Sequence, residues 1–444
     1  MKPTFRQSGL TFSVLAGLCL AGAGLSAASQ GENPPPLSAV AKLGKAMFYD
    51  TALSGSGTMS CASCHDPARH YAPANALPVQ LGGPHLDQPG IRPPPSLAYK
   101  MATPAFSVGV ENSAEEAAEA APMAEASGVA LANQATPTAG PVAGQPVVKA
   151  DAPADNAVPQ GGMFWDGRVD SLEEQALGPM LSPFEMANHD EADVYQKIKK
   201  AYGAQLEALF GAQVLQDQSM TLSEVGFALA RYQVEAPDFH PYSSKFDAYL
   251  RGQVQLSDAE ARGLKLFDDP KKGNCASCHL DKMTGDGQMP NLTDYEYEAL
   301  GVPRNPAIPA NADPKFYDLG ICGPFRQDDF AKQPQNCGLF KTPTLRNVAE
   351  RSVYFHNGVY KTLEDATRFY VARDTDPASI YPKKPDGSVD KFNDLPDSYK
   401  GNIDVIDAPM DRKLGQPPAL NEDEIKDVVA FLKTLTDGWD AQKP

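Results

Sequence analysis

The chain has 444 residues, enough for two domains, and its 39 Lys and Arg against 56 Asp and Glu give a net charge of −17. That charge argues against nucleic acid or an anionic membrane surface as a partner. It fits either plain solubility or the steering of a basic protein such as a small cytochrome.

Residues 1–28 read as a secretory signal. Lys2 and Arg6 form a basic start, an apolar stretch runs from Leu10 to Leu20, and Ser26, Ala27 and Ala28 suit cleavage. Leu18 ahead of Cys19 argues against lipid attachment. No later segment has the long uncharged apolar run of a membrane span. These features predict a soluble mature chain exported to the bacterial periplasm.

Two loops, Cys61–His65 and Cys275–His279, carry the same five letters, Cys-Ala-Ser-Cys-His. This CxxCH spacing is the attachment site of a c-type haem. Cys61 and Cys64, or Cys275 and Cys278, add across the two vinyl groups of one haem, and His65 or His279 meets the iron. A zinc site would want four ligands from paired motifs, and thioredoxin-like redox pairs rarely end in His. Two covalently bound haems are therefore predicted.

An internal echo surrounds these loops. Leu37, Ser38, Gly44 and Phe48 precede the first, and Leu256, Ser257, Gly263 and Phe267 precede the second at the same spacing. Ser38 and Ser257 suit N-caps of amphipathic helices. A closing helix is predicted for each module, over Leu222–Tyr232 and from Asn421 onward. The latter has acids in its first turn and Ile425, Val428, Val429, Leu432 and Leu435 at helical spacing. Helix, haem loop, helix predicts a mainly α chain of two class I cytochrome c-like haem domains with long loops, residues 29–245 and 246–444. Residues 111–160 are rich in Ala and Pro and hold no aromatic, so they read as a disordered insert in the first domain, with a binding arm as the alternative. Cys322 and Cys337 read as a disulfide in an oxidising compartment, with free thiols as the alternative.

Together with Phe164–Arg168 (Phe-Trp-Asp-Gly-Arg), the run Gln175–Met186 and the stretch Lys341–Tyr370, these motifs resemble the bacterial dihaem cytochrome c peroxidases and MauG. The resemblance spans nearly all of Leu37–Gly438 outside the Ala-rich insert. It implies that the His65 haem is the peroxide site and the His279 haem an electron relay or charge store. It places Trp165 between the haems as a relay, the alternative being a large core aromatic. It puts Glu185 in the distal pocket, where a carboxylate can carry the proton that O–O cleavage moves between oxygens; an ordinary surface carboxylate is the alternative. Gln175 would hydrogen-bond peroxide, and Pro179 would restrict the pocket.

Tyr370 stands seven residues after Leu363, where the peroxidases place a Met as sixth ligand. A phenolate there would stabilise oxidised iron and favour storage of an oxidising equivalent. Met410 is the alternative ligand. His85, seven residues before Arg92, is implied as a removable sixth ligand at the first haem, against a solvated loop His. His356 is placed near a haem propionate or the relay, and His70, His189 and His240 receive no role. The family binds calcium between its domains through an Asn directly after that Arg and through backbone carbonyls before the HxG motif. Here Pro93 follows Arg92, and the second loop reads Arg351, Ser352, Val353, so the Asn oxygen is missing.

The implied activity is reduction of hydrogen peroxide with electrons from a small cytochrome c or cupredoxin. One alternative is MauG-like oxidation of a Tyr or Trp on a partner protein, although Gly273 stands where MauG has a Trp. Another is a non-enzymatic electron-transfer cytochrome, which would have no peroxide pocket. A homodimer is left open.

Overall fold

The computed structural model describes residues 35–110 and 157–442. The signal segment 1–28, with Cys19, and residues 111–156 of the Ala-rich insert lie outside the described residues. Residues 37–444 cluster as one unit, mainly helical.

The first half opens on α1 (Ala39–Tyr49) and α2, the single turn Cys61–Cys64. Two hairpins follow, β1 (Leu81–Gly82) with β2 (Gln88–Pro89), and β3 (Ser107–Val110) with β4 (Ala157–Gln160). Then come α3 (Leu172–Leu181), α4 (Glu191–Phe210) and α5 (Gln218–Glu235). The second half carries α6 (Lys245–Leu250) and α7 (Asp258–Asp268). The pair β5 (Tyr297–Glu298) and β6 (Phe340–Lys341), α8 (Leu363–Ala372), α9 (Pro377–Ile380) and α10 (Glu422–Lys433) complete it.

The internal echo has a structural cause. The Ser38 hydroxyl accepts the Ala41 N–H at 3.1 Å and starts α1, while Ser257 starts α7 in a capping box with Glu260. Each opening helix then crosses a closing one, α1 on α5 and α7 on α10. A Cβ on Gly44 would overlap the Ala228 carbonyl, and one on Gly263 would overlap the Asp427 carbonyl. The recurrent Gly therefore lets two helix backbones touch. Four residues later Phe48 and Phe267 are buried, each in its own apolar cluster. Phe48 meets Tyr71, Tyr232 and Phe239, with Tyr71 stacked on Phe239 at 3.7 Å. Phe267 and Phe246 both pack edge-on to Phe431 at 5.1 Å. Burying each such ring contributes roughly 1.5–3 kcal/mol.

Three differences from expectation have physical reasons. The predicted helix over Leu222–Tyr232 extends to Gln218–Glu235, because the Asp217 carboxylate caps it at Met220 N–H (2.7 Å). The last four residues of the expected disordered insert, Ala157–Gln160, are ordered as β4: the ladder with Ser107–Val110 satisfies their backbone where side chains supply little. The helix after Asn421 ends at Lys433, short of Leu435, although Leu435 is buried. Cys322 and Cys337 form the disulfide, with Cα atoms 4.9 Å apart.

Gly263→Ala should lower stability by about 1–3 kcal/mol, because the α7–α10 crossing cannot admit a methyl group without backbone displacement. Gly401→Ala, where nothing lies within 4 Å of the added carbon, should be near neutral. Thermal unfolding of both variants beside the parent checks this; equal melting temperatures would remove the packing explanation.

Candidate functional site

Both CxxCH loops present their imidazole in the same way. In the first, Ser60 and Ser63 form a capping box around α2, and the His65 N–H donates to the Cys61 carbonyl at 3.0 Å. His65 Nδ1 lies 3.2 Å from the Tyr71 carbonyl. In the second, His279 N–H donates to Cys275 at 2.8 Å and Nδ1 lies 3.0 Å from the Leu292 carbonyl. A carbonyl can only accept, so each ring carries its proton on Nδ1 and leaves the Nε2 lone pair for a metal. Burial pushes both imidazoles down to about 4, which keeps them neutral as iron ligands must be. Neither loop closes its cysteines into a disulfide. Burial also pushes the Cys61 and Cys275 thiols up to about 12. Two thiols plus a tethered neutral imidazole fit covalent haem at each loop.

The surroundings differ. The second loop faces a cavity of about 210 Å³ lined by Cys275, Cys278, His279, Tyr370 and Met410. Tyr370 sits on α8, and burial, then the neighbouring Cys278 and Cys275, drives its hydroxyl well above the ordinary range. Both expected ligand candidates thus line one cavity.

The first loop faces a carboxyl. Gln175 and Pro179 lie one turn apart on α3, on the same side. Pro179 has no N–H, so the Gln175 carbonyl loses its helical partner and the helix ends two residues later. The chain then folds back, with Met186 N–H on the Pro179 carbonyl (3.0 Å) and Gly83 N–H on the Glu185 carbonyl (2.9 Å). Glu185 is half-buried, and its negative charge acts on both Cys61 and Cys64. Burial raises its carboxyl above the usual range, against the opposing pull of Arg168. His85 is exposed at the turn of the β1–β2 hairpin, whose base packs on Phe184 and Glu185. Glu185 thus acts on the Cys61–His65 loop, while His85 stands exposed on the hairpin.

Trp165 lines the His279 cavity. It is 9% exposed, and its indole N–H donates to the Pro93 carbonyl at 3.0 Å. Its own carbonyl accepts the Lys341 N–H at 2.9 Å, and its ring lines the His279 cavity. The next residue, Asp166, is fully buried and binds Arg92 at 2.7 Å and Arg168 at 2.9 Å. Arg92 also grips Asp318 through two bonds of 2.7 Å. Sequence reasoning used Arg92 only as a spacing mark and missed Asp318; nothing local signals a partner 226 positions away. It also missed Lys100 and Lys341. Each follows an aromatic residue, Tyr99 or Phe340, a pattern too common to single out.

The calcium suggested by the resemblance does not fit. The Pro93 carbonyl, in place of the Asn, is taken by the Trp165 indole. The Arg351 carbonyl accepts the Tyr354 hydroxyl at 3.0 Å. The Arg351 guanidinium donates to the Pro94 carbonyl at 3.4 Å, which places a positive charge beside these carbonyls.

Residues 38–255 match the family model described as di-haem cytochrome c peroxidase. The methylamine utilization protein MauG of Paracoccus denitrificans is 32% identical over 409 residues, covering 91% of this chain and 90% of that one. A cytochrome c551 peroxidase of Nitrosomonas europaea is 25% identical over 446 residues, covering 98% of this chain and 92% of the relative. Among solved structures, the diheme peroxidase BthA of Burkholderia thailandensis superposes with a TM-score of 0.74 at 36% identity, covering 91% of this chain and 87% of that one. With paired haem-attachment loops, a carboxyl at one and a tyrosine at the other, the chain belongs to the di-haem cytochrome c peroxidase and MauG family.

Proposed function

We propose that this chain reduces hydrogen peroxide to water with electrons from a small cytochrome c or cupredoxin. The asymmetry of two identical loops carries this reading: Glu185 faces one, and Tyr370 shares a cavity with the other. Two c-type haems, held by Cys61, Cys64 and His65 and by Cys275, Cys278 and His279, supply iron that binds peroxide and passes electrons. Glu185 takes the proton from the inner oxygen of hydrogen peroxide and returns it to the outer oxygen, which leaves as water. Burial raises the carboxyl toward the pH at which it can both take and give a proton. The Gln175 amide orients the peroxide, and the Pro179 ring limits the room around it. Trp165, pinned at its N–H, carries electrons from the second site to the first. Tyr370 would hold the remaining position of the second iron.

The two apolar clusters, one ending at Phe239 and one starting at Phe246, support two cytochrome c-like domains at 29–245 and 246–444. Export to the periplasm follows from the signal-like residues 1–28; no helix among the described residues is long and apolar enough to cross a membrane. Gly273 weighs against MauG-like oxidation of a partner through a surface Trp. A Cβ there would meet the Leu266 carbonyl at 2.6 Å, so the loop has no room for an indole.

Glu185→Gln should lower kcat for peroxide reduction by about 100- to 10,000-fold while both haems stay attached. Stopped-flow turnover beside a haem count checks it, and parental turnover in this variant would show that another group moves the proton. Tyr370→Met should raise the midpoint potential of the second haem, since a thioether stabilises oxidised iron less than a phenolate does. Met410→Leu should leave it unchanged. A spectroelectrochemical titration in which only Met410→Leu shifts that potential would make Met410 the ligand.

A further inference from the structure

Three basic side chains, Lys100, Lys341 and Arg351, gather near the His279 cavity, and among the described residues no ion pair to a carboxylate is seen for any of them. Lys341 is buried at 7% exposure, and its ammonium rests on the Gly162 carbonyl. Asp166, which attracts it, is already engaged by Arg92 and Arg168. Arg351 touches only the Pro94 carbonyl and, like Lys341, lines the cavity that holds Cys275, Cys278 and His279. Lys100 follows the left-handed Tyr99 and is within electrostatic reach of Lys341, Arg351 and His65. Burial, then Arg351, pushes Lys100 down to about 8, and burial, then Lys100, lowers Lys341. Cations so placed call for anions, and a divalent metal there would add to the repulsion.

We propose that Lys100, Lys341 and Arg351 form a cationic shelf that receives the propionate carboxylates of both haems and takes the place of an interdomain calcium ion. Each haem brings two carboxylates, and anions beside these basic groups would favour the charged form of both lysines next to the Arg351 guanidinium. The covalent loops fix the apolar edges of the haems, and the shelf fixes the polar edges. The Asn oxygen that a calcium ion would use is absent at Pro93, the Arg351 carbonyl already accepts the Tyr354 hydroxyl, and the Arg351 guanidinium brings a positive charge to the same loop.

This inference rests on the two-haem reading, so covalent haem is counted first by mass spectrometry on every sample. Fewer than two haems in the parent would overturn that reading rather than the shelf. Calcium is then measured on the parent holoprotein before and after EDTA, and both midpoint potentials are titrated with EDTA and with added calcium chloride. No bound calcium and unchanged potentials are expected; one calcium per chain, or potentials that follow EDTA, would overturn the proposal. In Lys100→Gln and Arg351→Gln, loss of a positive charge beside the irons should move at least one midpoint potential negative, because the ferric form loses a repulsive neighbour. Arg351→Lys should restore the parental value. Unchanged potentials in both Gln variants would overturn the shelf, and if either fails to fold the EDTA and calcium measurements on the parent decide alone.

Discussion

Arg92 has no freedom in this structure. Its guanidinium is held by Asp166 on one side and Asp318 on the other, all three nearly out of water. Arg168 adds a second positive charge on Asp166, so the cluster balances two carboxylates with two guanidinium groups. Buried charges of this kind stabilise little in net terms, yet losing one partner costs about 3–5 kcal/mol because the remainder stays buried and unpaired. The cluster therefore acts as a register lock. Asp166 and Arg92 come from the first half and Asp318 from the second, and the geometry closes only when both halves are in place.

Trp165 inherits its position from that lock. Arg92 fixes Asp166, the residue after Trp165, and Pro93, the residue after Arg92, supplies the carbonyl for the indole. Two adjacent residues of one segment thus grip two adjacent residues of the other. This double attachment holds the indole in place, as the proposed relay role of Trp165 requires. The disulfide Cys322–Cys337 closes a short loop just after Asp318, which steadies the third member of the lock.

The sequence is legible wherever the physics is local. A capping Ser, a Gly at a helix crossing and a Phe four residues on are all decided within a dozen residues, so the repeated module shows in the order of amino acids alone. CxxCH is legible for the same reason, since haem attachment is chemistry of five neighbours. Glu185 and Tyr370 are different. Nothing around them marks them among 56 acidic residues and 16 tyrosines, and only the resemblance to a known family singled them out. Asp318, Lys100, Lys341 and Arg351 stayed hidden because their meaning comes from segments distant in the chain. The ordering of Ala157–Gln160 was missed because composition speaks for side chains, while a two-stranded ladder is held by the backbone.

That ladder has a consequence for how the chain can vary. Because β3 and β4 pair residue for residue from Ser107–Gln160 to Val110–Ala157, the ends of the segment between them are pinned side by side. Loop-closure cost grows with the logarithm of length, about 0.6 kcal/mol per doubling, so the number of residues between β3 and β4 changes the cost of joining these ends only slightly. The hairpin thus fixes where the chain leaves the fold and where it re-enters, and makes that neck independent of the length it closes.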